Sequence, residues 1–332
     1  MRPGLHRFTH FLNSAENLLQ QANQQPNPSL WLLKNNGRTP FFMLEALAKL
    51  YEAFHHKKIF KKLRENHFKI IEDGLGQLDY YDFYISEFEN IITVPRTAIT
   101  YIKDQFQKKS TELNELLLKK GWIGEHNNRI AKIHKKLDAV DWKKEKKEVK
   151  FLLNYYDDEI KEIIDFYKKS DSPFTQLEEQ VHELRRKLRW LSIYPQALLG
   201  CVQYTRSGHP PENLNKYFTE EIIHSPYNVF PEAGENRHFL LLEKNNFLAL
   251  SWMINELGKE KDKGLGLYLL AEALEQTEKT DSNYAMVRAG EILLGNAKAR
   301  DQILQNCHSI CNAYFKEGSL QQLVQGIAVA RA

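Results

Sequence analysis

Apolar residues recur along most of this chain at intervals of three and four, the period that gathers them on one face of an α-helix. Thr39 followed by Pro40 reads as an N-cap and first-turn pair. It opens a strongly apolar helix through Phe41, Phe42, Leu44, Leu47, Tyr51 and Phe54. A second helix is expected from near Lys58, with Ile59, Phe60, Leu63, Ile70 and Ile71 at helical spacing. Gly74 and Gly76 weaken it, each by about 1 kcal/mol relative to Ala. Pro95 restarts a helix that runs to Gly121, and the pattern predicts two more over Gly124 to Val140 and Trp142 to Lys169. Alternating β-branched runs are almost absent, so essentially no sheet is expected.

Ser170-Asp171-Ser172-Pro173 is the clearest internal break, a helix stop followed by a capped restart. It divides the chain into an N-terminal helical half, 1–169, and a C-terminal half, 173–332. The predicted fold is therefore all-α, two helical-bundle halves packed as one compact unit, in the manner of a duplication. The helix after the break is expected to run, kinked at Pro195, to about Arg206. Ser207 to Glu235 holds Pro210, Pro211, Pro226 and Pro231 and reads as a long irregular segment with a short helix around Thr219 to His224. Helices then resume, with breaks expected near Lys259 to Lys263, Asp281, Gly295 and Gly318. No short-period repeat is present, which argues against a solenoid.

Composition changes this picture little. The 332 residues are 42% hydrophobic and 27% charged, as in ordinary globular proteins. The net charge is +3, from 46 Lys and Arg against 43 Asp and Glu, a small surplus for a general nucleic-acid binder. Three cysteines do not suggest a disulfide scaffold. No run approaches the ~20 apolar residues of a membrane helix, and the amino terminus lacks the apolar core of a secretory signal. A cytoplasmic location without membrane partners is the expectation.

Charge matters locally. In the stretch from His182 to Leu191, Val181, Leu184, Leu188 and Leu191 line one side of a helix. His182, Arg185, Arg186 and Arg189 line the other. Guanidinium forks match phosphate and carboxylate oxygens, so such a row is a candidate oxyanion surface. The plainer alternative is a solvated charged face, with Glu178 and Glu179 as partners one turn away.

The spacing His182-x-Leu184-Arg185-Arg186-x-x-Arg189-x-Leu191 resembles the second signature of the CHAD domain, a conserved histidine-containing α-helical domain. Leu75-Gly76-Gln77-Leu78-Asp79-Tyr80-Tyr81-Asp82 is similar to the Leu-Gly-x-x-Arg-Asp stretch that follows the family's first signature helix, of which Arg38 is the retained cation. The resemblance implies two similar helical bundles and a basic surface that binds inorganic polyphosphate. The ligand-binding residues it implies are His182, Arg185, Arg186, Arg189 and Arg38.

An acidic row offers a competing role for these arginines. Glu65, Glu72 and Asp79 recur every seven residues, within about 40° of one another on a helix, beside Gly76. If the halves pack face to face, these carboxylates are expected to meet Arg185, Arg186 and Arg189 as a structural network.

Four Glu-x-x-His pairs, Glu52/His55, Glu179/His182, Glu221/His224 and Glu235/His238, raise a ferritin-like di-metal site. Cations beside the best pair oppose a metal, and none is expected. Cys307-His308-x-x-Cys311 lacks the further ligands zinc needs, so buried thiols are expected. Lys263-Gly264-Leu265-Gly266 reads as a turn with a glycine cap rather than a nucleotide loop. With no nucleophile elbow and no acid–base pair, the sequence points to a non-catalytic module without cofactor that binds a polyanion such as polyphosphate. The alternative is a scaffold with a protein partner, expected to expose an aromatic patch near Tyr217, Phe218, Tyr227 and Phe230.

Overall fold

The computed structural model describes residues 2–170, 172–205 and 211–330. The protein is all-α, 74% helical with a small sheet, and divides into two units. The first is Met1–Lys143 with Glu272–Ser282, and the second is Lys144–Ala271 with Asn283–Ala332. The division therefore falls after Lys143, and the break at Ser170–Pro173 (Asp171 lies outside the described residues) is internal to the second unit. The reason is packing: the helix before that break lies against the elements that follow it.

The first unit contains α1 (Pro3–Ala22), α2 (Pro28–Lys34), α3 (Arg38–Phe54), α4 (Lys57–Leu63), α5 (Lys69–Glu89), α6 (Arg96–Lys119) and α7 (Arg129–Asp138). α3 begins at Arg38, earlier than Thr39 and Pro40 predict. α1 and α3 interlock through Phe8, Leu12, Phe41, Leu44, Leu47 and Tyr51, all fully buried. Phe8 meets Tyr51 edge-on at 5.5 Å and stacks on Phe60 at 5.6 Å. Each such buried side chain contributes about 1.5–3 kcal/mol by leaving water. α5 runs unbroken through Gly74 and Gly76 because both are contact points: Leu113 of α6 and Arg38 of α3 approach within 2.8 Å of where their β-carbons would stand. Between α4 and α5 the chain makes a π-turn, Arg64–Phe68.

The second unit contains α8 (Glu145–Lys169), a π-turn at Leu177–His182, α9 (Glu183–Ala197), α10 (Glu220–Ile223), α11 (Lys244–Glu278, shared with the first unit from Glu272), α12 (Ser282–Leu294) and α13 (Ala299–Glu317). Pro195 sits inside α9 and cannot donate to the carbonyl of Leu191. The buried Tyr156 hydroxyl of α8 donates to that carbonyl at 3.1 Å instead.

Among the described residues, three short strands form the sheet, β1 (Val202–Tyr204), β2 (His238–Leu242) and β3 (Val324–Val329), in the order β1-β2-β3. β2 is parallel to β1 and antiparallel to β3. The sequence does not predict them because β2 carries three leucines, and a strand set by packing against α8 needs little intrinsic propensity. The irregular segment lies between β1 and β2 and includes α10 as expected; Arg206 to Pro210 fall outside the described residues. α11 passes straight through Lys259 to Lys263 and Gly264-Leu265-Gly266, where the sequence pattern predicts a break. Gly264 is a close contact for Leu177, so its lack of a side chain serves packing rather than a turn.

Candidate anion-binding site

Each unit contains an arginine laid flat over a helix glycine. In the first unit Arg38 crosses Gly76 of α5, its Nη2 2.8 Å from the β-carbon position. The glycine leaves room for the guanidinium to reach the residues one turn either side. Its Nη2 lies 2.7 Å from Glu72 Oε1, and its Nη1 lies 3.1 Å from Asp79 Oδ2. Glu65, the third member of the acidic row, pairs with Arg64 at 3.1 Å. Within the first unit, then, Glu72 and Asp79 hold Arg38, and Glu65 holds Arg64. The cause is proximity along the fold, since α3 packs directly on α5.

Glu45 of α3 is buried beside this network, and burial together with the charge of Glu72 pushes its carboxyl up to about 7. Lys69 and Arg64 pull in the other direction without prevailing.

In the second unit Arg185 of α9 crosses Gly258 of α11, its Nη2 3.0 Å from the β-carbon position. Here the flanking residues differ. Four residues before the glycine, where the first unit has Glu72, stands Ile254, whose backbone carbonyl accepts from Arg185 Nε at 3.0 Å. Three residues after it, where the first unit has Asp79, stands Lys261. Lys261 is 14% exposed and lies 2.7 Å from Asp262. Burial lowers the pKa of Lys261, Asp262 raises it, and Arg185 and Arg189 lower it further. Burial likewise lowers that of Arg185, with Asp262 opposing. Arg185 and Lys261, both largely buried, thus lie near Asp262, and Arg189 lies close enough to Lys261 to act on its charge.

His182 and Arg186 are engaged locally. His182 Nδ1 lies 2.7 Å from Glu178, and Arg186 Nη2 lies 2.5 Å from Glu183, both on the surface of their own helical segment. Arg38 is in the first unit, engaged by two carboxylates. Lys261 escapes the sequence reading because Lys259 to Lys263 has the pattern of a break, although a Gly with a cation three residues on is a usable signal.

The Glu-x-x-His spacing does not build a site. His224 turns to Glu220, and Glu221 pairs with Lys259 at 3.0 Å. His55 accepts from the Lys143 backbone N–H at 3.3 Å, and His238 faces Glu145 at 3.7 Å. Among the described residues no group of three or more His, Cys, Asp or Glu is placed to hold a metal ion. Cys307 and Cys311 are fully buried, and burial pushes the Cys307 thiol up to about 12. No helix of the described residues is long and apolar enough to cross a membrane. Comparison with known family models, with curated proteins and with solved structures finds no match to this chain.

Proposed function

We propose that the second unit is a non-catalytic receptor for a phosphate-rich polyanion, with Arg185 and Lys261 as the inner donors and Arg189 adding to the field. One observation carries this reading. At the two helix positions that neutralise the arginine in the first unit, the second unit has a backbone carbonyl and a lysine. Partly desolvated cations held near one another are stabilised by an incoming oxyanion, and hydrogen bonds to charged groups are worth about 1.5–3 kcal/mol each. The CHAD-like spacing from His182 to Leu191 supports a polyphosphate-like ligand, with His182 and Arg186 as outer contacts. The test is equilibrium binding of polyphosphate at several salt concentrations. Affinity is expected to fall steeply with salt and by about tenfold or more in Lys261→Gln and in Arg185→Ala/Arg189→Ala. Unchanged affinity in both variants rejects the assignment.

A protein-docking role draws on a separate observation. Ile223, Tyr227 and Val229 of the irregular segment are 46%, 75% and 68% exposed. The Gln196 side chain holds the Tyr227 and Val229 carbonyls at 3.2 and 2.9 Å. Of the other expected aromatics, Tyr217 is buried, Phe230 stacks on Tyr204 at 3.9 Å, and Phe218 is half-buried. Self-association or partner binding that is lost in Tyr227→Asp/Val229→Asp would favour this role over anion capture.

A further inference from the structure

The sheet of the second unit ends on one side at β3. In the order β1-β2-β3 only β2 has a strand on both sides. β1 is three residues long and is fastened by the irregular segment. Gln203 Nε2 donates to the Pro231 carbonyl at 2.9 Å, and the Tyr204 hydroxyl donates to that of Asn228 at 2.9 Å. β3 has a different setting. α8 packs on β2 as well as on β3, so it lies over a face of the sheet and not along its edge.

Which backbone groups of β3 are free follows from its pairing. The Ala330 N–H donates to the Arg237 carbonyl at 2.8 Å, and opposed residues of an antiparallel pair alternate between bonded and non-bonded. Ala328, opposite Phe239, is then bonded, while Val329, opposite His238, and Ile327, opposite Leu240, are not. The other side of β2 gives the same phase, because the Leu240 N–H donates away from β3, to the Cys201 carbonyl at 3.0 Å. The N–H and C=O of Ile327 and of Val329 therefore point away from β2, and among the described residues they have no partner. The side chains of both residues lie on one face and are 40% and 62% exposed.

Native sheets guard such an edge with charge, proline or a bulge. Val324-Gln325-Gly326-Ile327-Ala328-Val329 has neither charge nor proline. Its bulge comes early: the register slips opposite Leu241 and Leu242, leaving Gln325 as the extra residue, and the ladder is regular from Gly326 onward. We infer that β3 is a dimerisation edge, which pairs antiparallel with β3 of a second copy about a two-fold axis at Ala328. In that register Ile327 of each copy opposes Val329 of the other, and the two exchange their free backbone bonds. Their exposed side chains meet as β-branched cross-strand pairs, which favour the contact. Neutrality selects this occupant. An unrelated strand would be chosen by charge, and β3 carries none, whereas two copies meet here with no like charges opposed. The regular stretch is short, so the pair forms only as concentration rises. It shares no residue with the candidate anion site.

Sedimentation velocity of the purified chain over a wide concentration range is the test, with amide hydrogen exchange by NMR as the local readout. A monomer–dimer equilibrium is expected, in which the amides of Ile327 and Val329 gain protection as the dimer forms. Ile327→Lys is expected to weaken the dimer by about tenfold or more, because the two-fold axis counts each substitution twice. Ile327→Pro removes an outward N–H, leaves the Ala328 bonds to β2 in place and is expected to abolish the dimer. Should that variant melt below the parent, Ile327→Lys decides. Tyr227→Asp/Val229→Asp, on the irregular segment, is expected to dimerise as the parent does. The inference is overturned by a protein that stays monomeric at every concentration, or by a dimer that survives Ile327→Lys unchanged. It also fails if the Ile327 and Val329 amides exchange as freely in the dimer as in the monomer, or if Tyr227→Asp/Val229→Asp abolishes the dimer.

Discussion

Arg185 lies across Gly258 so closely that a β-carbon there would stand 3.0 Å from its Nη2. Gly258→Ala would gain about 1 kcal/mol of helix propensity while moving the guanidinium off the Ile254 carbonyl. The expected result is a several-fold loss of polyphosphate affinity with thermal stability close to the parent's. A variant that binds as before would show that the position of Arg185 is unimportant.

The same contact in the first unit is structural. Glu72 is 8% exposed on its side chain, and Arg38 is the cation that holds it. Arg38→Met leaves a buried carboxylate without that partner and is expected to cost about 2–4 kcal/mol in urea unfolding. Adding Glu72→Gln should recover much of the loss. A double variant no better than the single one would mean that the pair is not coupled.

Glu45 makes stability depend on pH in an unusual direction for a carboxylate. Its folded pKa, about 7, lies above the ordinary 4.5, so the folded state keeps a proton that the unfolded chain has released. This contribution is fully present below about 4.5 and is lost as pH rises through about 7, at up to about 1.4 kcal/mol per pH unit. Glu45→Gln should therefore gain on the parent between pH 5 and pH 8. His55 and His67, both pulled to about 4 chiefly by burial, act oppositely, losing their contribution as pH falls from 6.5. The difference between parent and variant cancels them, and a difference that stays flat with pH would rule out the Glu45 effect.

Tyr156 supplies the Leu191 carbonyl with the hydrogen bond that Pro195 cannot give. Tyr156→Phe leaves that buried oxygen unsatisfied, at an expected cost of about 1–3 kcal/mol. In a Pro195→Ala background the backbone N–H at that position becomes available, and the same change should cost less. Equal costs in the two backgrounds would contradict the substitution of one donor for the other.

Helices were legible in the sequence wherever apolar spacing was regular, as at Phe41 to Phe54 and Val181 to Leu191. The misreadings came from glycine. Lys259 to Lys263 and the turn read at Gly264 predict a break in α11, but glycine inside a helix is tolerated where a neighbour fills the space above it, as Leu177 does over Gly264 and Arg185 over Gly258. Local pattern contains no record of that neighbour. The arginine stripe was visible for the same reason as the helices, whereas its sorting was not. Arg185 goes inward to a carbonyl, and Arg186 and His182 remain on the surface with helix carboxylates, because only the facing helix decides which donor is covered.

The two arginine–glycine contacts also differ in how much chain they enclose. From Arg185 to Gly258 the chain is nearly twice as long as from Arg38 to Gly76, since the irregular segment and two strands intervene. Each doubling of a closed loop adds about 0.6 kcal/mol of entropic cost before any contact is made. The helix pair of α3 and α5 is thus the more local of the two and reaches its native pairing over the lower barrier. The second unit, whose equivalent pair needs a longer search, is expected to be the slower of the two to assemble.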